Sequence, residues 1–144
     1  MHQRDWNIVH LFSALLLAAP VSYANYEGYI KGGEPSLTGM ICSFLFVGCW
    51  FFYGFLIGKN TKSSLFFFSS FYWGCGLVLF LLGSTGEAFF ISIFSTLLYT
   101  GPLYGLMHGT NVPPTMTGAL SIILMYAISI GSFLVGRRKQ KTLL

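Results

Sequence analysis

Residues 37–57 read LTGMICSFLFVGCWFFYGFLI, a run without a single Asp, Glu, Lys, Arg or His side chain. The hydrocarbon core of a bilayer is roughly 30 Å thick, and about 20 helical residues cross it at 1.5 Å each. Four further hydrophobic stretches of similar length lie at 7–24, 65–83, 88–107 and 117–136. The sequence therefore predicts an all-α integral membrane protein, a small polytopic helix bundle with about five transmembrane helices.

The composition points to the same class. Hydrophobic residues make up 54% of the chain and charged residues only 8%, whereas a soluble domain carries about 25% charged residues on average. The connections at 25–36, 58–64, 84–87 and 108–116 are too short to fold into a separate soluble unit. We therefore expect residues 1–144 to form a single membrane domain.

The net charge of +4 is concentrated in the C-terminal tail, residues 137–144. Its four cations follow the fifth hydrophobic run directly and are Arg137, Arg138, Lys139 and Lys141. Such cations contribute about 1 kcal/mol each beside anionic headgroups and bias their end of the chain toward the cytoplasm. We interpret the tail as a cytoplasmic anchor at the plasma membrane and not as a nucleic-acid-binding arm.

The remaining basic residues leave two topologies open. Five full spans with the tail inside place Lys31 and the four tail cations in the cytoplasm, against three cations outside. The alternative has four spans plus a re-entrant fourth segment, which Gly101 and Pro102 interrupt. It leaves only Lys31 outside, against seven cations inside. Five spans are the first interpretation, because proline is common in membrane helices and Thr100 is near enough to cap the carbonyl that it frees.

The first run also carries features of a secretory signal peptide. Ser22 and Ala24 flank Tyr23, the small-x-small pattern that a signal peptidase accepts. Asp5 offsets Arg4 in the leading region, however, so we expect the run to be retained as a helix.

Small residues spaced four apart mark the expected helix contacts. Such spacing puts them on one helix face and lets two backbones approach closely in lipid. The candidate packing residues are Gly54, Gly58, Gly101, Gly105, Ala127 and Gly131. We expect most of these contacts to lie within the chain, although the spacing is equally suited to a partner helix.

Residues that carry chemistry are sparse. The four acids, Asp5, Glu27, Glu34 and Glu87, lie at the ends of the hydrophobic runs or between them. His10 and His108 are expected near the headgroups, and two histidines do not make a metal site that needs about three converging ligands. The three cysteines, Cys42, Cys49 and Cys75, include no Cys-x-x-Cys pair. We therefore predict no catalytic residue, metal or cofactor.

Trp50, Trp73 and Tyr126 lie deep within their runs, where a polar tip needs a partner or a cleft. Packing against lipid is the first interpretation of these residues, and the alternative is that they mark an internal cavity.

The expected function is that of a small non-catalytic membrane protein that acts through helix contacts. An accessory subunit, an immunity or stress protein, or a regulator of a larger complex fits this description. The expected partners are the bilayer, a second copy or a larger membrane complex, without nucleic acid. The alternative is an oligomeric transporter or pore for small solutes, because broken helices often bound substrate sites.

Overall fold

The computed structural model describes residues 3–31, 33–59, 64–85, 89–110 and 114–141. The described chain is 93% helix and contains no strand. Its long helices are α1 (Gln3–Lys31), α2 (Leu37–Lys59), α3 (Ser64–Ser84) and α5 (Pro114–Lys141). Between α3 and α5 lies a fourth segment made of α4 (Phe89–Ser95), a π-helical stretch (Thr96–Thr100) and a 3-10 stretch (Gly101–Met107). Five helical stretches of the described chain are long and apolar enough to cross a membrane, so the predicted all-α class is confirmed.

Helices α1, α2 and α3 alternate in direction. His10, in the first third of α1, contacts Tyr53 near the end of α2 and Phe68 near the start of α3. The same end of the bundle carries Lys59, the last residue of α2, and we call it the basic end. The opposite end, with the exposed Glu27 and Glu34, is called the acidic end.

Helix α5 runs parallel to α2 and ends at the basic end. A Cβ atom added at Gly54 would collide with Ser132, and one added at Gly58 would collide with the backbone of Phe133. Residue numbers thus increase together along the two helices. The start of α5 lies at the acidic end, where Gly118 contacts Phe80 of α3.

Both ends of the fourth segment lie at the acidic end. Ser92 packs on Gly83, at the end of α3, and Gly105 packs on Gly39, at the start of α2. The deepest contact joins Leu98 to Tyr72, the ninth of the 21 residues of α3. The segment therefore enters the bundle to about half its depth, bends, and leaves on the side from which it came. This differs from the first interpretation, a fifth traverse, and has the geometry of the re-entrant alternative.

Aromatic rings fill the centre of the bundle. Trp50 packs against Trp73 at 5.5 Å and against Tyr72 at 6.2 Å between ring centroids, and Tyr99 of the fourth segment lies 4.8 Å from Tyr72. Trp50 and Trp73 are each 1% exposed. Aromatic pairs of this kind contribute about 0.5–1.5 kcal/mol each beyond their burial, so this cluster ties α2, α3 and the fourth segment together.

The three aromatic residues predicted to pack against lipid or, as the alternative, to mark a cavity have different surroundings. The indole nitrogen of Trp73 donates to Ser129 at 3.2 Å, whereas that of Trp50 is buried with no hydrogen-bond partner among the described residues. Tyr126 lies on the outer surface, and its hydroxyl bonds to Ser70 at 3.1 Å. The centre is thus filled by rings, and Tyr126 does not contribute to it.

Candidate functional site

The break in the fourth segment frees backbone carbonyl groups inside the bundle. Pro102 has no N–H group, so the carbonyl of Leu98, four residues earlier, loses its helical donor. The N–H of Gly101 donates to Thr96, five residues back, in the manner of a π turn. The carbonyl of Leu97 therefore loses its helical donor as well.

Side chains of α1 and α3 replace these donors. The Tyr72 hydroxyl donates to the carbonyl of Leu98 at 3.1 Å, and the Ser22 hydroxyl donates to that of Leu97 at 2.6 Å. Unpaired backbone groups away from water cost several kcal/mol each, which explains why a broken helix needs such partners. The carbonyls of Leu97 and Leu98 therefore each accept a hydrogen bond from another helix.

Asn25 of α1 forms a third bond at the break. Its amide nitrogen donates to the carbonyl of Gly101 at 2.9 Å and to Ser43 of α2 at 3.1 Å. The side chain therefore joins α1, α2 and the fourth segment at one buried point. Sequence reasoning missed Asn25, Ser22 and Tyr72, and it assigned the capping role to Thr100. The Thr100 hydroxyl is instead buried with no hydrogen-bond partner among the described residues.

Four of the predicted packing residues lie in close contacts inside the chain. Gly54 and Gly58 face α5, and Gly101 and Gly105 face α1 and α2. A Cβ atom at Gly101 would lie 2.6 Å from the Thr96 carbonyl oxygen, and one at Gly105 would lie 2.5 Å from the Met40 nitrogen. Both distances are too short for a real Cβ atom, so the contacts require glycine.

The other two predicted packing residues lie on the outer face of α5. Ala127 and Gly131 are exposed, and a Cβ atom built at Gly131 has no atom of the described chain within 4 Å. A shallow groove of about 210 Å³ between α3 and α5 adjoins this face and is lined by Gly74, Ile123 and Tyr126, among others. The structure thus divides the six candidates into four internal residues and an outer pair.

His10 and His108 lie far from each other. His10 is completely buried, with its Nδ1 atom 2.5 Å from the Tyr53 hydroxyl, so its ring packs inside the bundle. His108 is exposed at the acidic end, with its Nδ1 atom 2.5 Å from the Pro35 carbonyl. The helical path along α2 from Leu37 to Tyr53 measures about 24 Å at 1.5 Å per residue. Within the described ranges, no group of three His, Cys, Asp or Glu side chains is arranged to hold a metal.

The charged side chains are segregated between the two ends. Lys59, Arg137, Arg138 and Lys139 are exposed at the basic end, and Glu27 and Glu34 at the acidic end. The predicted anchor residue Lys141 ends α5, and its side chain lies outside what the structure describes, as do Lys62 and Glu87 entirely. The three cysteines are free: Cys42 and Cys75 are half-buried and Cys49 is exposed.

No protein-family model, curated protein or solved structure matches this chain. Its function is therefore inferred from the arrangement of its own residues.

Proposed function

We propose that this chain is a multi-pass plasma-membrane protein with four spans and one re-entrant segment, whose two termini both lie in the cytoplasm. The placement of both ends of the fourth segment at the acidic end supports this topology. The charge distribution supports it too, because Lys and Arg are enriched on the cytoplasmic side of membrane proteins. Lys59, Arg137, Arg138 and Lys139 lie exposed at the basic end, together with the start of α1 and the end of α5, whereas Lys31 ends α1 at the acidic end.

Within that membrane the protein acts without catalysis, through helix contacts made by the outer face of α5. It serves as an accessory or regulatory subunit that binds a helix of a second copy or of a larger complex. One observation carries this proposal: Ala127 and Gly131 form a small-residue ridge on α5 that the described part of the chain leaves uncovered. Small residues at this spacing let two helices approach closely in lipid, where packing drives association.

Small residues also allow close helix packing within the chain. Gly54 and Gly58 on α2, with Gly136 on α5, bring the two backbones together over the last turns of both helices. Gly131 lies five residues before Gly136, on another face of α5. A second helix could therefore pack on α5 without disturbing its contact with α2.

The test compares Gly131→Ile with Gly48→Ile. Gly48 is a matched control, because a Cβ atom there also meets no atom of the described chain within 4 Å, while its neighbours one turn away are Phe44 and Phe52. After mild solubilisation, native mass spectrometry should find wild type and Gly48→Ile associated with a second copy or with a partner in fixed stoichiometry. Gly131→Ile should be monomeric and free of that partner. A wild-type protein that is purely monomeric and without a partner would contradict the proposal.

A second candidate function is an oligomeric transporter or pore for small solutes. The re-entrant segment favours it, because non-helical backbone at membrane depth often lines a solute path. It ranks second because the carbonyls of Leu97 and Leu98 at the break already accept hydrogen bonds from Ser22 and Tyr72. Liposomes containing the protein should show no more flux of ions or small solutes than empty ones, and specific flux would favour this candidate.

A further inference from the structure

A large apolar groove lies between α1 and α3 on the basic side of the fourth segment. It has a volume of about 670 Å³, and its walls include Ile8 and Leu11 from α1 and Phe71 and Cys75 from α3. Leu98 and Tyr99, at the deepest point of the fourth segment, close its inner end. The volume falls within the range of about 300–1,000 Å³ that is usual for small-molecule sites.

The groove is a consequence of the re-entrant path. The fourth segment covers α1 and α3 only from the acidic end down to the level of Tyr72. Beyond that level the space between the two helices is the groove, whose lining residues come from α1, α3 and the fourth segment. A fully spanning fourth helix would have filled it.

The length of the groove corresponds to one leaflet of a bilayer. Along α3 its lining extends from Phe67 to Cys75, eight residues or about 12 Å at 1.5 Å per residue. Half of a hydrocarbon core of roughly 30 Å is about 15 Å. An acyl chain that entered from the headgroup level would therefore reach the inner end of the groove.

The inner end and the mouth of the groove differ in the residues that line them. The inner end is formed by the side chains of Leu98 and Tyr99, whereas Asn7 lies at the mouth. The mouth opens at the basic end, the end of the bundle at which Lys59, Arg137, Arg138 and Lys139 are exposed. Cations near a membrane surface attract anionic lipid headgroups by about 1 kcal/mol each.

We infer that this groove holds one acyl chain of an anionic membrane phospholipid, with the headgroup at the basic end and the chain tip beneath the re-entrant segment. The lipid supports Tyr99, whose ring packs on Gly76 and Tyr72. This inference shares the re-entrant path with the proposed function but is independent of the outer face of α5. The lipid experiment can therefore fail while the Gly131→Ile experiment succeeds, and it can succeed while the Gly131→Ile experiment fails.

The first experiment compares Cys75→Phe with the matched control Cys49→Phe. Cys75 is half-buried and lines the groove, so a benzyl group there fills it, whereas Cys49 is exposed on α2 and does not line it. Each protein is reconstituted into vesicles of equal parts dioleoyl phosphatidylglycerol and dioleoyl phosphatidylcholine, extracted in mild detergent and measured by native mass spectrometry. Wild type and Cys49→Phe should retain one phosphatidylglycerol, and Cys75→Phe should retain it at least tenfold less.

A second measurement uses the wild-type protein and so does not depend on the folding of a variant. Phosphatidylglycerol with a diazirine in its acyl chain is photoactivated in the same vesicles, and the adducts are mapped by peptide sequencing. Adducts at Cys75 or Tyr99 should exceed those at the outward-facing Phe44 at least fivefold. Three results would each overturn the inference. The first is equal labelling of Phe44 and the groove residues, and the second is equal retention of phosphatidylglycerol and phosphatidylcholine by the wild-type protein. The third is a set of crosslinks that shows a second copy of the chain bound in the groove.

Discussion

Tyr72 illustrates how one side chain stabilises a broken helix. Its hydroxyl donates to the Leu98 carbonyl that Pro102 deprives of a donor, and its ring stacks on Phe68 and contacts Tyr99. The polar tip and the apolar body of the residue therefore both contribute to the same junction. A phenylalanine at this position would keep the ring contacts and lose only the hydrogen bond.

Tyr72→Phe should lower the free energy of unfolding by about 1–2 kcal/mol, because the buried Leu98 carbonyl loses the donor that replaced its helical partner. Unfolding in mixed detergent micelles, followed by near-UV circular dichroism, measures the change. Tyr126→Phe is the control, since it removes a surface bond to Ser70 and should cost about 0.5 kcal/mol. Equal effects of the two substitutions would mean that Tyr72 does not cap the break.

Gly105→Ala should destabilise the protein by about 1–3 kcal/mol, because the added methyl group would collide with the backbone of Gly39 and Met40. Gly74→Ala is the matched control: a Cβ atom there meets nothing within 4 Å, and alanine favours a helix by up to about 1 kcal/mol over glycine. Thermal unfolding in detergent should therefore give a lower midpoint for the first variant and an unchanged or higher midpoint for the second.

At the residue level, spacing predicted some features and could not predict others. Gly101 and Pro102 were identified as an interruption from their residue types alone. The side chains that donate to the carbonyls at the break were not predicted. Ser22, Asn25 and Tyr72 lie on other helices, and a sequence does not show which helix faces meet. The burial of His10 was not predicted for the same reason, because it depends on Tyr53 and Phe68, more than 40 residues away in the chain.

The fourth segment shows why hydrophobic length alone does not determine a path. Phe89–Met107 is long and apolar enough to cross a membrane, and the five predicted segments agree with the observed helices to within a few residues at most boundaries. The contacts with Gly83 at one end and Gly39 at the other bring the two ends to the same side. Among the sequence features, the distribution of cations and the interruption at Gly101 and Pro102 indicated this arrangement.

Asn25→Ala should loosen the fourth segment without affecting the opposite end of the bundle. The substitution removes the bonds to Gly101 and Ser43, so amide hydrogen exchange in Gly101–Met107 should speed up by about tenfold, the factor that 1.4 kcal/mol produces. Asn7→Ala, at an exposed asparagine near the other end of α1, should leave exchange in that stretch unchanged. Unchanged exchange in both variants would show that Asn25 does not hold the segment.

For the whole molecule, the proposed topology makes the charge distribution and the chain path agree. The exposed cations Lys59, Arg137, Arg138 and Lys139 share one end with the start of α1, and the carboxylates of Glu27 and Glu34 lie at the other. In the proposed topology the basic end lies in the cytoplasm, the side on which Lys and Arg are enriched in membrane proteins. Four crossings return the chain to the side on which it began, whereas five would leave its ends on opposite sides.

The side on which the N-terminus lies tests this account most directly. Reporter tags that are active only in the cytoplasm or only outside are fused to each terminus in turn, with a tag after Glu34 in the 33–36 connection as the external control. Four spans and a re-entrant segment predict cytoplasmic signals at both termini and an external signal at the control. An external N-terminus with a cytoplasmic C-terminus would mean five crossings and would contradict the re-entrant path.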